Sequence, residues 1–395
     1  MKRRSLLILP FGGALLLAAC GSSGGTSSDT TAPAATTSGS SAPTGSAAAT
    51  TNLKGICPDK VVVQTDWYPE SEHGATYELM GDDYKASKDS VSVTGSLVFQ
   101  GQPTGVQLEI RAGGPALGDQ TVVSQMYRDN DILFGFVSTD EQLKYYKDQP
   151  TVAVVAPQDK SPQIILWDKT KHPNAKTIAD ISKEVDTVTV FGGSTYIDYL
   201  VSAGIVPKAK VDFNYKGDKI LTTKGATVAH QGFATAEPYQ YAHLDTGAID
   251  VGFQLISDTG WKPYPESLVV RKDALTDDKT AGCLKALVPM FQQAQVDYAK
   301  DPKRADAIII ATNSVYDTFW KYGEADASNS LKEQKALGII SNGSDNTLGN
   351  FDEARVTDFV AKAIPVFKSE NVDVDPNLKA SDLVTNQFVD TSVHI

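Results

Sequence analysis

Short β-branched runs alternate with helical segments along most of the chain from Lys60 onward. The turns between them repeatedly carry Gly, Ser or Thr followed by acidic or amide residues, which is typical of βαβ units. Strands are predicted at residues 61–64, 106–110, 133–137, 151–156, 188–191, 231–235, 251–256 and 267–270. The pattern therefore predicts an α/β protein with mixed, mostly parallel sheets.

Helical segments follow several of these strands. Helices are predicted over 72–80, up to about residue 127, and over 194–203, where Gly204 would end the helix. Ser138 and Glu141 have the spacing of a capping box. In the C-terminal part, apolar residues recur at helical spacing from Leu284 to Tyr298 and from Val356 to Ile364, and Pro289 predicts a kink.

Two proline-rich interruptions divide the body of the chain, at 157–162 and 261–265. They predict two crossings between two lobes: residues 56–158 with 263–395 form lobe 1, and 159–262 form lobe 2. Two crossings make a hinge, and a cleft between lobes is where small ligands usually bind.

The N-terminus has the features of an export signal. Three cations at residues 2–4 precede an apolar run over 6–19, which is too short for a permanent membrane span. The run ends at Leu17-Ala18-Ala19-Cys20, which resembles the bacterial lipobox. We therefore interpret 1–20 as a lipoprotein signal peptide with a lipidated Cys20, a two-chain anchor. The alternative is a cysteine buried in an ordinary signal peptide.

Residues 21–55 are predicted to be a disordered tether. From Gly21 to Asn52 there is no aromatic residue, no Leu, Ile or Val, and one charge, Asp29. Such a segment cannot bury enough apolar surface to offset the entropy of ordering it. The expected location is extracytoplasmic, with the body held at the cell membrane.

Charge and cysteine content narrow the possible partners. Without the three N-terminal cations, 33 Lys and Arg face 48 Asp and Glu, a formal charge of −15. This disfavours nucleic acid and docking on anionic lipid. Cys57 and Cys283 remain after Cys20, and outside the cytoplasm a disulfide between them is the simplest interpretation. Two unpaired buried thiols are the alternative.

Residue sets for catalysis or metal binding are missing from the sequence. There is no G-x-S-x-G or H-E-x-x-H motif, no cysteine pair at metal spacing, and the five histidines stand at no ligand spacing. We expect no enzyme activity, no cofactor and no metal.

The first candidate ligand loop follows the strand at 61–64. Asp66, Trp67, Tyr68 and His73 lie on it, which suits stacking on a flat ligand while a carboxylate fixes its polar edge. The alternative is that Trp67 and Tyr68 close the core of the lobe.

A second candidate junction consists of Gly192, Gly193, Ser194 and Thr195, where backbone N–H groups and two hydroxyls can approach a ligand. Asp198 in the next turn argues against a strongly anionic ligand. A plain helix N-cap at Ser194 or Thr195 is the alternative.

A third junction carries Glu237, held at a strand end by Pro238. Its carboxylate could accept from an amino or ring N–H group, or simply compensate the helix dipole. The remaining candidates are Ser138, at the end of another predicted strand, and Trp261 and Tyr264 at the second crossing.

Residues 63–74, with the sequence VQTDWYPESEHG, resemble the opening of periplasmic binding proteins of the thiamine-pyrimidine-precursor and nitrate/sulfonate/taurine type. The Gly-Gly-Ser-Thr turn, the Glu237-Pro238-Tyr239 element and residues 382–388 follow in that family's order, so the similarity runs over about 61–388. It implies a type II periplasmic-binding-protein fold with two lobes joined by a two-stranded hinge, and delivery of a small-molecule solute to an ABC permease with its ATPase. In pyrimidine-binding relatives, the residues matching Trp67 and Glu237 contact the heterocycle.

We therefore expect a monomeric protein that takes up a flat, nitrogen-containing solute, neutral or weakly charged. A lipid-anchored sensor or scaffold without a transport role is the alternative. The family's fold also supports a self-consuming pyrimidine synthase with a cysteine-rich motif, which two body cysteines do not provide.

Overall fold

Two β-sheets organise the chain in the computed structural model, which describes residues 52–118 and 120–395. The predicted signal peptide, Cys20 and nearly all of the predicted tether lie outside the described residues. The strands are β1 (Lys60–Gln64), β2 (Lys85–Ser87), β3 (Ser92–Phe99), β4 (Gln102–Arg111), β5 (Ile132–Val137), β6 (Thr151–Val155), β7 (Gln163–Asp168), β8 (Thr187–Thr189), β9 (Val211–Asp212), β10 (Val228–Phe233), β11 (Val251–Leu255) and β12 (Ser267–Arg271).

A seven-stranded sheet has the order β2-β3-β4-β1-β5-β12-β6, and a five-stranded sheet has the order β11-β7-β10-β8-β9. Parallel pairing joins β4, β1 and β5 in the first sheet and β10, β8 and β9 in the second. The other six strand pairs of the described residues are antiparallel. The predicted mixed α/β architecture is confirmed, but parallel pairs are the minority.

Four strands were not predicted: β2, β3 and β7, which pair antiparallel with their neighbours, and the two-residue β9, which pairs parallel with β8. β3 and β4 form a hairpin whose turn residues, Gln100 and Gly101, both have positive φ. Such a two-residue turn matches the twist of the strands. β7 lies between β10 and β11, so the segment after the first crossing begins with a strand.

Helices cover both sheets. They are α1 (Gly74–Glu78), α2 (Val122–Arg128), α3 (Thr139–Tyr145), α4 (Ile178–Glu184), α5 (Tyr196–Ser202), α6 (Leu221–Lys224), α7 (Glu237–Ala242), α8 (Asp278–Lys300), α9 (Lys303–Tyr316), α10 (Glu324–Ala336), α11 (Glu353–Ser369) and α12 (Ala380–Leu383). Short 3-10 helices occur at Ser71–His73, Gly114–Leu117, Lys208–Lys210, Ile256–Thr259 and Lys272–Thr276. Within this described part of the chain, none of the helices has the length and apolar character that a bilayer crossing requires.

The long helix α8 packs against the seven-stranded sheet, as its spacing predicts. Leu284, Leu287, Val288 and Phe291 are buried in one core cluster with β1, β4 and β5 side chains. The predicted disulfide between Cys57 and Cys283 is confirmed and ties the start of the described chain to α8 across 226 residues, with Cα atoms 4.7 Å apart. The alternative of two free thiols is therefore wrong.

The chain crosses between the two sheets twice, after β6 and before β12. Gln158 on the first crossing donates from Nε2 to Glu266 Oε2 on the second, at 2.8 Å. Glu266 has a φ of 41°, a left-handed conformation that is uncommon outside glycine and often marks a functional segment. The crossings are thus joined to each other by side chains.

Candidate functional site

Two adjoining cavities of about 180 and 280 Å³ lie at the carboxyl ends of β1 and β5 from one sheet and of β8 and β10 from the other. We call them cavity A, the smaller, and cavity B. Six residues line both cavities: Asp66, Glu141, Gln163, Gly193, Ser194 and Phe233. The two sheets therefore contribute side chains to one continuous gap, because parallel strands present their carboxyl ends at the same edge.

Most of the sequence-predicted residues lie around this gap. Nine line one or both cavities: Asp66, Trp67, Ser138, Gly192, Gly193, Ser194, Thr195, Glu237 and Trp261. Three do not line either cavity: Tyr68, His73 and Tyr264. Direct ligand contact by these three stays a prediction that the cavity linings do not support.

Packing explains each of the three. Tyr68 is buried in the core of the seven-stranded sheet with its ring 5.7 Å from Phe319. His73 is fully buried, and its Nε2 lies 2.9 Å from Asp66 Oδ1, so it positions a cavity carboxylate from behind. The Tyr264 ring lies 3.9 Å from the Arg355 guanidinium, and its hydroxyl accepts from the Asp352 N–H at 2.8 Å.

Asp140 accepts hydrogen bonds from three of the predicted residues. Its Oδ1 accepts from the Ser138 hydroxyl, and its Oδ2 accepts from the Thr195 hydroxyl and, at 3.0 Å, from Trp261 Nε1. Asp140 follows β5, whereas Thr195 precedes α5 of the five-stranded sheet. We call this set the Asp140 latch, since it joins the two sides of the gap.

The latch also corrects the predicted capping box. Ser138 precedes α3, but its hydroxyl makes no cap hydrogen bond to the backbone. The Glu141 N–H is instead bound by Asp140 Oδ1 at 3.1 Å. Asp140 therefore stabilises the start of the helix, and Glu141 is left to face the cavities.

The turn at 192–195 is held by Gln231, which sequence reasoning missed. The Gln231 Oε1 atom accepts from the Phe191 N–H, the Ser194 hydroxyl and the Tyr196 hydroxyl, at 2.7 to 3.0 Å. Gly193 has a φ of 90°, which suits glycine. Neither hydroxyl caps α5, since Thr195 at the N-cap makes no side-chain cap bond and Ser194 donates to Gln231. The alternative that Ser194 or Thr195 serves as a side-chain N-cap of α5 is therefore wrong.

Glu237 begins α7 and lines cavity B. Its Oε2 accepts from the Phe233 N–H at 2.6 Å, so it stabilises the end of β10 as well as facing the gap. Burial raises the pKa of Glu237, although the nearby cation of Lys219 acts in the opposite direction.

Aromatic side chains form much of the wall of cavity B. The ring of Trp67 lies 5.4 Å from Phe191 of the opposite side and 5.8 Å from Trp320. Trp67 therefore both packs on the core and faces the cavity. This position is consistent with both interpretations of the residue, as a ligand contact and as part of the core.

Sequence reasoning missed several acidic lining residues. Glu70 lies within the DWYPE segment but was not proposed as a site residue, and Glu266 immediately precedes β12. Burial and neighbouring carboxylates raise the pKa of both well above the ordinary glutamate value. Burial raises the pKa of Glu141 to about 8. Position at a strand end was the available signal for Glu141 and Glu266, since both lie beside a predicted strand boundary.

No family model and no curated protein matches this sequence. The fold is similar to that of a protein from Bordetella bronchiseptica RB50, with 15% identity, a TM-score of 0.50, and coverage of 84% of this chain and 96% of that chain. It is also similar to the ligand-binding component of an ABC-type import system from Staphylococcus aureus, solved with zinc bound. There the identity is 12%, the TM-score 0.53, and the coverage 83% of this chain and 97% of that chain. The chain has the periplasmic-binding-protein fold.

Proposed function

We propose that the protein is an extracytoplasmic solute-binding protein, held at the membrane by a lipidated Cys20, that delivers a small solute to an ABC permease and its ATPase. The observation that carries the proposal is that residues from both sheets line the same two cavities, beside two crossings of the chain. A gap between two bodies joined by a hinge is a common place for a small ligand.

In this proposal, residues 56–158 and 263–395 form one lobe, and residues 159–262 form the other. The Asp140 latch and the hydrogen bond from Thr235 to Glu72 would hold the lobes together over the solute. Opening would break these bonds while the two crossings remain as the hinge.

The solute that we propose is flat and contains nitrogen. Trp67 would stack on it, and Glu237, whose carboxyl group lines cavity B, would accept from its N–H groups. These two residues approach cavity B from opposite sheets, so closure would be needed to bring both to the ligand.

The test uses a solute identified by mass spectrometry after denaturing release from the purified protein, or by a thermal-shift screen. In titration calorimetry, Trp67→Ala and Glu237→Ala should each weaken its binding tenfold or more, about 1.4 kcal/mol. Phe253→Ala and Glu353→Ala, at exposed positions away from the cavities, are matched controls that should bind as the wild type does.

Unchanged affinity in both cavity variants would refute the site. Deletion of the gene should also abolish uptake of the same solute, and uptake that persists after deletion would favour a sensor or scaffold role instead of transport.

A further inference from the structure

Six carboxyl groups line the two cavities: Asp66, Glu70, Asp140, Glu141, Glu237 and Glu266. Among the described residues that line them there is no Lys, Arg or His. An anion in this gap would meet six carboxyl groups and, from the described residues, no cationic side chain, which disfavours its binding. The lining therefore favours a positively charged ligand.

The partners of these carboxyls separate structural groups from available ones. Asp140 is fully used in the latch, whereas Glu237 accepts from the Phe233 N–H through Oε2, lies near the Lys219 cation and still lines cavity B. The Oδ1 atom of Asp66 is bound to His73, and the Oε2 atom of Glu266 is bound to Gln158. Each of the last two keeps one oxygen without a described protein partner.

Glu70 and Glu141 are the exceptions among the six, because no described residue donates a hydrogen bond to either carboxyl group. The Lys144 cation favours the charged form of Glu141, whereas the charged neighbours of Glu70, which is only 4% exposed and lines cavity B, are other carboxyl groups. A buried carboxyl without a donor is costly and therefore rare in native proteins. When such a group faces a cavity, the missing partner is expected from the ligand.

Burial, and then neighbouring carboxylates that include Asp66, raise the pKa of both Glu70 and Glu266. Asp66 lines both cavities, whereas Glu70 lines cavity B and Glu266 lines cavity A. Each cavity therefore has one of these glutamates in its lining together with Asp66. Two lysine cations lie near the lining: against the larger, raising effect of burial, Lys219 acts to lower the pKa of Glu237, and Lys144 acts to lower the pKa of Glu141. Neither is a partner of Glu70.

The surrounding walls favour an organic cation over a metal ion. Aromatic rings face the gap on both sides of Asp66, with Trp67 in cavity B and Phe136 and Trp261 in cavity A. Ring faces attract organic cations and also provide apolar contact. The described residues contain no group of three or more His, Cys, Asp or Glu side chains that could hold a metal ion.

We propose that the solute is an organic cation whose charged nitrogen binds at Asp66, between the carboxylates of Glu70 and Glu266. This inference rests on the proposed solute-binding function and specifies the charge of the ligand. It replaces the sequence-based expectation of a neutral or weakly charged solute.

The experiment is a binding screen in which organic cations are each paired with a neutral and an anionic analogue, using the full mature protein. Benzamidine, benzamide and benzoate form one such triplet, equal in planarity and nearly equal in size, and taurine and nitrate are included as anions. Among the solutes that bind, we expect the cation of each triplet to bind at least tenfold more tightly than its neutral partner. We expect no anion to bind.

Three variants that keep the shape of the side chain test the location: Glu70→Gln, Glu266→Gln and Asp66→Asn. Each should weaken binding of the cation tenfold or more and leave its neutral analogue unaffected. Glu70→Asp keeps the charge and should retain most of the preference. Glu353→Gln removes an exposed charge far from the cavities and should change nothing.

The outcomes separate the two proposals. Equal or tighter binding of neutral or anionic analogues, or a charge preference that survives all three variants, would overturn the cation assignment and leave the receptor role intact. If no solute in the screen binds the folded wild-type protein, the receptor role itself is contradicted, and the cation assignment falls with it.

Discussion

Asp140 and Glu70 are both buried carboxyl groups at the same gap, each 4% exposed, but their surroundings are opposite. Asp140 accepts from two hydroxyls, an indole and a backbone N–H. Glu70 accepts from no described side chain or backbone group and faces other carboxyls. A buried acid that is fully bonded stabilises the fold, whereas one left unbonded is explained by something outside it.

The largest expected effect on stability comes from removing Asp140, the carboxyl group that is fully hydrogen-bonded. Asp140→Ala would leave the Thr195 hydroxyl and the Trp261 indole without an acceptor in a buried place. The free energy of unfolding should fall by about 3 kcal/mol, since each orphaned buried donor costs about 1 to 3 kcal/mol. Urea denaturation measures it.

Asp373→Ala is the control for Asp140→Ala, because Asp373 is exposed and has only a surface ion pair with Lys147. Its effect should stay within about 0.5 kcal/mol. Equal effects of the two substitutions would mean that the latch does not stabilise the fold.

A smaller change in the free energy of unfolding is expected from pH, which titrates the buried glutamates that lack a hydrogen-bond donor. Raised pKa values mean that the folded state holds protons that the unfolded state has released, so stability falls as pH rises above the ordinary glutamate value. Burial lowers the pKa of His230 from 6.5 to about 3, which gives the opposite trend below pH 6.5. Above pH 6.5 the rise from His230 is largely complete, and the pKa of about 8 for Glu141 makes stability fall with pH.

The free energy of unfolding should therefore decrease by roughly 1 to 2 kcal/mol between pH 6.5 and 8. Urea denaturation at a series of pH values measures it, and Glu141→Gln should flatten the slope. A slope that is zero or positive in the wild-type protein would contradict the raised pKa values.

The smallest effect has the opposite sign to that of Asp140→Ala. Glu70→Gln removes a buried charge that no protein group compensates, so at pH 8 the free energy of unfolding should rise by about 1 kcal/mol. Thermal unfolding of the wild type and the variant, without added solute, measures it. A clear loss of stability would mean that Glu70 has a structural partner, and the contrast with Asp140 would disappear.

Much of the fold could be predicted from local sequence patterns. The predictions failed where strands pair with segments that are distant in the sequence. The helix α8 follows from its apolar spacing, and β1, β5 and β6 follow from β-branched runs. In contrast, β7 pairs with β10, in which His230 lies opposite Leu166. Antiparallel pairing over such a sequence distance leaves no local signature, so βαβ reasoning overestimated the parallel content.

The site was predictable at the level of strand ends but not of individual polar atoms. Trp67, Ser194 and Glu237 all reach the gap because strand ends converge there. Whether a hydroxyl such as that of Thr195 is available depends on Asp140, which lies 55 residues earlier in the chain. For the same reason, nothing in the sequence indicates that the Glu70 carboxyl has no donor.

The disulfide between Cys57 and Cys283 has a mechanical consequence. Leu53 is buried, and its N–H donates to the Thr104 carbonyl of β4, so the chain enters the body on the seven-stranded sheet and is locked there by a covalent bond to α8. Any load transmitted along the N-terminal segment is borne by that sheet. In the proposed opening of the gap, the five-stranded sheet would therefore move about the two crossings without displacing the point at which the chain enters the body.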